Sequence, residues 1–143
     1  MIFSTKAEYG VRVMAHLAGT DAARPVSLGS IAEAEGLPLA YLEHLVQRLR
    51  RQGLVESRRG AHGGYTLSRP AAQITMAEIV KALEGHLAPI ECFTPEGECS
   101  REATGQAPCP TKLLWTRVQG SIVRTLNEMT LEDLTPKKEK TSA

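Results

Sequence analysis

The sequence predicts a mainly α-helical chain with one small β-hairpin and a long C-terminal helix. Three observations predict it. Apolar residues recur at i, i+3, i+4 and i+7 through several stretches, the signature of helices with one buried face. Midway along the chain that period gives way to two short runs flanking Gly60-Ala61-His62-Gly63-Gly64, a flexible turn between paired strands. Glycine, proline or a capping residue stands at nearly every junction between these stretches.

The first helix spans 5–19, with Ala7, Val11, Met14, Ala15 and Ala18 on its apolar face. Asp21 to Pro25 is a connection. Ser27 caps a short helix over 28–35, with Leu28, Ile31 and Ala32 inward, and Gly36 ends it. Leu37-Pro38 makes a tight turn into a helix over 40–52, with Leu42, Leu45, Val46 and Leu49 inward and Gly53 closing it. Two helices joined this tightly form a helix-turn-helix. Leu54 to Arg58 and Tyr65 to Leu67 are the hairpin strands, and Pro70 stops the second. A hairpin directly after the second helix of such a pair is a wing. Thr75 and Glu78 form a capping box for a helix over 76–84, closed by Gly85. Residues 86–110, rich in Pro and Gly, read as an irregular loop. Near Pro110 a long helix begins and runs over 111–128. Its apolar stripe, Leu114, Trp115, Val118, Ile122, Val123 and Leu126, has no evident partner within so small a core; a second copy of the chain would cover it, the alternative being that it packs back on its own domain. Thr130 to Asp133 starts a last short turn. The predicted architecture is a winged helix-turn-helix over 1–85, a cysteine loop over 86–110, a dimerisation helix and turn over 111–134, and a disordered tail over 135–143.

Composition excludes other classes. The chain has 143 residues, 42% hydrophobic and 23% charged, enough for one domain with a modest core. No apolar run is long enough to cross a membrane. The N-terminus lacks an apolar export segment, and three cysteines do not make a disulfide scaffold. These features point to free thiols or metal ligands in a reducing cytosol. His16, His44, His62 and His86 are scattered, and no phosphate loop or nucleophile motif occurs, so no enzymatic activity is expected. His16, beside apolar residues on the first helix, reads as structural.

The near-neutral balance hides an asymmetry. Residues 44–70 hold six arginines against the single acid Glu56, and residues 91–109 hold four glutamates against Arg101. The basic cluster suggests an anionic partner, double-stranded DNA among the candidates. A helix fits the major groove, and the second helix of such a pair turns its N-terminal residues toward the bases. Those are Leu39, Ala40, Tyr41, Glu43 and His44. Glu43 suits a cytosine amino group, and Tyr41 a phosphate or a thymine methyl. Arg48 and Arg51 lie on the polar side, placed for phosphates. Arg58 and Arg59 sit at the wing tip, where Gly60, Gly63 and Gly64 allow close backbone approach to a minor groove. Each feature alone also describes an ordinary solvated surface; their order along the chain is what points to DNA.

The cysteines are Cys92, Cys99 and Cys109, spaced Cys-x6-Cys-x9-Cys among Glu, Gly, Pro and Ser. Such thiols are poorly placed for core packing. They suit a soft metal or an iron–sulfur cluster. Zinc would need a fourth ligand, for which His86 is available. A thiol-redox switch holding no metal is the remaining reading.

Several stretches resemble a known family, the bacterial Rrf-two winged-helix regulators, which include the iron–sulfur regulator IscR, the nitric-oxide sensor NsrR, the iron regulator RirA and the cysteine-metabolism regulator CymR. The matching stretches are Ser4 to Arg12, Tyr41 to Leu45, Leu49 to Val55, Arg58 to Tyr65, the cysteine loop, Leu113-Leu114-Trp115 and Met129 to Leu134. The resemblance covers roughly residues 1–134. It implies a homodimer formed by the long C-terminal helix, binding to palindromic promoters, and a [2Fe–2S] or [4Fe–4S] cluster on the three cysteines that tunes DNA affinity. Carried over by position, Tyr41 and Glu43 read bases and Arg59 enters the minor groove. Two departures stand out. The loop is longer between the second and third cysteines than in IscR or NsrR. Lys112 stands where IscR has its histidine ligand, and a protonated lysine ligates poorly. NsrR uses an acid from the partner's first helix, and the matching residue here is Glu8. Glu8 across the dimer is therefore the expected fourth ligand, with His86, a thiol or solvent as alternatives. As a surface acid, Glu8 would equally suit the dipole of a first helical turn.

Overall fold

The computed structural model describes residues 3–21, 23–95, 97, 105 and 109–135. Helix α1 spans Thr5–Ala18 and buries Ala7, Gly10, Val13, Met14 and Leu17. Ser4 caps it by accepting from the Lys6 N–H at 3.2 Å. Gly10 is where α1 crosses a later helix most closely, since a Cβ there would overlap the Leu83 side chain. Helix α2, Leu28–Glu35, starts with Ser27 accepting from the Ser30 N–H at 3.2 Å and stops at Gly36, whose φ of +65° is left-handed. Helix α3, Leu39–Arg51, buries Leu42, Leu45, Val46 and Leu49, as its period requires.

Arg12 and His16 fix the angle between α1 and α2. The Arg12 guanidinium donates to the Glu35 carbonyl at 2.7 Å and lies 3.2 Å from its carboxylate. His16 Nδ1 lies 3.2 Å from the other carboxylate oxygen. The His16 hydrogen bond, against the opposing effect of burial, and the Arg12 charge hold the Glu35 carboxyl below its ordinary range. His16 is thus a structural residue.

Strands β1, Val55–Arg58, and β2, Gly64–Leu67, pair antiparallel with Val55 opposite Leu67 and Arg58 opposite Gly64. Val26 adds a third position to this sheet: its N–H donates to the Tyr65 carbonyl at 3.0 Å and its carbonyl accepts from the Tyr65 N–H at 2.8 Å. The sequence pattern assigns Val26 to no element, because a single-residue bridge has no period to detect. A 3-10 turn over Ala71–Gln73, also absent from the pattern, leads into helix α4, Met76–Glu84. The Thr75–Glu78 capping box is formed, with the Thr75 N–H donating to the Glu78 carboxylate at 2.9 Å and the Glu78 N–H to the Thr75 hydroxyl at 3.2 Å. Gly85, at φ +83°, ends α4. A 3-10 turn over Glu91–Phe93 falls within the expected loop.

Helix α5 spans Lys112–Glu128, and a 3-10 turn over Leu131–Leu134 follows it. The chain returns to the start of α4: the Met76 N–H donates to the Met129 carbonyl at 2.9 Å and the Leu131 N–H to the Ile74 carbonyl at 2.8 Å. Leu131 enters the core with Met14, Ile31, Leu42, Leu45, Leu49, Leu54, Ile74, Ile79 and Leu83. Each such side chain contributes about 1.5–3 kcal/mol of burial free energy. Thr135 remains tied to the Glu132 carbonyl, its N–H at 3.0 Å and its hydroxyl at 2.7 Å. The rest of the expected tail lies outside the described residues.

No residue of α5 is buried within one chain. Leu126 packs on the core, as does Met129 just beyond the helix, so the end of the expected stripe is covered by its own domain. At the other end Leu113 and Leu114 are 65% and 54% exposed. Among the described residues no helix is long and apolar enough to cross a membrane.

Candidate nucleic-acid interface and cysteine segment

Because the apolar stripe of α3 faces the core, its other side faces solvent. Leu39, Ala40, Glu43 and His44 are all exposed there. Gln47 is exposed on the same stripe, four residues after Glu43. Its amide can pair bidentately with adenine. A reading confined to the first helical turn passes over Gln47, although helical spacing alone identifies it.

Two expected contact residues have partners inside the chain. Tyr41 is half-buried, and its ring meets Tyr9 edge-on, with centroids 5.7 Å apart at 85°. Its hydroxyl lies 3.0 Å from the Thr5 hydroxyl. Arg48 donates to the Leu83 carbonyl at 3.1 Å, satisfying an orphan carbonyl at the end of α4. Arg51 is exposed, as are Arg58 and Arg59 in the wing.

The wing glycines have causes within the fold. Gly60 adopts φ +126°. The Gly63 N–H donates to the Gly60 carbonyl at 2.9 Å. A Cβ on Gly63 would overlap the Arg58 carbonyl, and one on Gly64 would overlap the Val26 backbone. The hairpin therefore needs Gly63 and Gly64 whether or not DNA is present.

In the cysteine segment Cys92 is exposed and Cys109 half-buried, and neither is in a disulfide. Cys109 Sγ lies 3.0 Å from the Thr111 hydroxyl, at the start of α5. Cys99 lies outside the described residues. Glu8 is exposed on the first turn of α1. His86 is half-buried, and its Nδ1 accepts from the Ala88 N–H at 3.1 Å. Among the described residues of one chain, no three or more His, Cys, Asp or Glu side chains converge in a metal-holding group. The structure thus does not gather Glu8, Cys92 and Cys109 within one chain.

A helix-turn-helix with a polar second helix, followed at once by a glycine-tipped hairpin, defines a winged-helix protein. The sequence matches the Rrf2 family, described as iron-dependent transcriptional regulators, over residues 3–137, and the chain belongs to that family. It is 40% identical over 134 residues to the HTH-type transcriptional regulator CymR of Bacillus subtilis strain 168, covering 94% of this chain and 89% of the relative. The structure of CymR, the global cysteine regulator of B. subtilis, superposes with a TM-score of 0.74, covering 94% of this chain and 95% of the other. IscR of T. potens superposes with a TM-score of 0.73 at 39% identity, covering 94% and 85%. The chain is accordingly a transcriptional regulator of the Rrf2 family.

Proposed function

We propose that two copies of this chain pair through α5 and bind palindromic promoter DNA with an affinity set by an iron–sulfur cluster. Cys92, Cys99 and Cys109 would hold the cluster, with Glu8 of the partner subunit as fourth ligand. The observation that carries the DNA reading is the exposed side of α3, where Glu43, His44 and Gln47 stand free of core contacts. Glu43 would accept from a cytosine amino group, and Gln47 would pair with adenine. Arg51 and Arg58 would hold phosphates, and Arg59 would enter the minor groove. The exposed apolar start of α5 supports the dimer.

The donor chemistry fits a cluster: cysteine thiolates, spaced here among polar residues, are the ligands that iron–sulfur centres take. A bound cluster supplies a centre reactive to oxidants and nitric oxide. The chain's own contribution is the position of its cysteines. They lie between the end of α4 and the start of α5, so fixing that segment fixes the wing-bearing domain against the dimer helix. Half-site spacing is a geometric demand, and a small change at this joint would alter the separation of the two α3 helices.

A second reading, sensing by thiol oxidation or by zinc without a cluster, is supported by Lys112 at the position of the IscR histidine. The 40% identity to a global cysteine regulator also supports it.

Anaerobic purification, followed by visible spectroscopy with iron, sulfide and zinc analysis, separates these readings. Absorption near about 320–460 nm with matched iron and sulfide, abolished in Cys92→Ala, is the expected result. A colourless protein after anaerobic reconstitution, with zinc or without metal, transfers the sensing to the second reading. Arg59→Ala is expected to weaken binding to a duplex selected from random DNA and to leave the dimer intact. Wild-type binding that does not weaken between about 50 and 200 mM salt refutes the DNA reading.

A further inference from the structure

The expected role of Tyr41 is to read DNA, but its surroundings assign it a different one. Its ring packs against Tyr9 and its hydroxyl lies 3.0 Å from the Thr5 hydroxyl. Both partners belong to the N-terminal half of α1. That end of α1 is held in turn by the last residues of α4. The Glu84 carboxylate accepts from the Ser4 N–H at 2.9 Å, the Ser4 hydroxyl at 2.5 Å and the Ala7 N–H at 3.3 Å. Leu83 lies against Gly10 so closely that a Cβ there would overlap it. Arg48, further along α3, donates to the Leu83 carbonyl.

The final turn of α4 therefore grips α3 at two places: directly at Arg48, and through the start of α1 at Tyr41. Gly85 follows, and then the segment that carries the cysteines. We propose that Tyr41 is a positioning residue: through Thr5 and Tyr9 it sets the direction of the first two turns of α3, which carry Glu43 and His44, and it does not itself read bases. This rests on the DNA-binding reading above and names how the recognition helix is held. A tyrosine engaged by its ring on one side and its hydroxyl on the other keeps little freedom to reach a groove. A phenol that left Thr5 for DNA would break the only side-chain hydrogen bond between α1 and α3 among the described residues.

The test uses the full-length protein and Tyr41→Phe, Thr5→Val and the double variant. Tyr41→Phe keeps the ring contact with Tyr9 and removes only the hydroxyl. Amide hydrogen exchange without DNA is the first readout. Positioning predicts faster exchange over residues 42–46, the first hydrogen-bonded amides of α3, in both single variants, by about two- to tenfold, the worth of one net hydrogen bond, and no further gain in the double variant. Exchange unchanged in both single variants overturns the proposal.

The second readout is affinity for duplexes that the wild type selects from a random DNA pool, measured with every single base-pair change. Positioning predicts that both single variants weaken binding by a similar factor and that the base preferences stay as in the wild type. A reading role predicts that Tyr41→Phe relaxes preference at one base pair while Thr5→Val does not, and that result overturns the proposal. A wild type that selects no sequence sinks the DNA-binding reading instead, and the exchange measurement still decides whether Tyr41 positions α3.

Discussion

Replacing Glu84 tests the joint between α1, α3 and the cysteine segment. In Glu84→Ala three donors at the start of α1, the Ser4 N–H, the Ser4 hydroxyl and the Ala7 N–H, lose their shared acceptor. Hydrogen bonds to a charged group are worth about 1.5–3 kcal/mol each when well shielded. This carboxylate is only partly buried, and water can reach the freed donors. A total loss of about 2 kcal/mol is therefore expected, or roughly 6–10 °C in Tm for a domain of this size. The pH dependence adds a second test. Burial pushes the Glu84 carboxyl up, but the hydrogen bonds from Ser4 and Ala7 and the Lys6 charge outweigh it, and its pKa lies below the ordinary value of 4.5. A depressed carboxyl stabilises the fold above the unfolded-state pKa, and that stabilisation disappears as pH falls through the folded-state value. The gap between wild type and Glu84→Gln should thus be full near pH 7 and narrow steadily below about pH 4.5. Thermal unfolding followed by circular dichroism, at one protein concentration, measures both. A loss below about 0.5 kcal/mol at pH 7, or a gap that widens on acidification, would refute the reasoning.

Two further perturbations separate fold from function. Gly64→Ala should loosen the wing even without DNA, because its Cβ would meet the Val26 backbone and strain the paired hydrogen bonds between Val26 and Tyr65; a cost of about 1–3 kcal/mol in denaturant unfolding is expected, and a neutral substitution would show that the wing gives way at no cost. Leu113→Glu with Leu114→Glu should leave the helical content unchanged while sedimentation shows a shift from dimer to monomer, since both side chains are exposed in one chain; a dimer that persists would place the interface elsewhere.

Those elements whose cause is local were legible in the sequence. Ser27 and Gly36 bound α2, and Thr75, Glu78 and Gly85 bound α4, because a cap needs only a side-chain oxygen or a left-handed φ within a few residues. The Val26 bridge and the pairing of Thr75 with Thr130 were not legible, since each joins residues far apart by backbone atoms that any sequence possesses. The site divides the same way. Periodicity places Glu43 and His44 on the free side of α3, and it would have placed Gln47 there too. It places Arg48 on the polar side as well, yet the guanidinium turns to the end of α4. A one-dimensional pattern records which residues avoid the core, and it does not record which of those find a partner at a helix end.

The glycines of the wing carry the same lesson further. Read along the chain, Gly60, Gly63 and Gly64 look like an adaptation to a narrow groove. In the fold, Gly63 makes room for the Arg58 carbonyl and Gly64 for the Val26 backbone. Gly60 alone stands in open space, with a backbone conformation that other residues rarely adopt. The turn that these glycines build holds Arg58 and Arg59 at the tip of a sheet anchored through Tyr65 to Val26, and Val26 lies directly before the Ser27 cap of α2. The wing is thereby attached to the helix-turn-helix at both ends: covalently to α3, through Gln52 to Leu54, and by hydrogen bonds to the entrance of α2. A wing attached in this way keeps its arginines at a set distance from the exposed side of α3, which the proposed binding of one groove by α3 and the neighbouring groove by the wing would require.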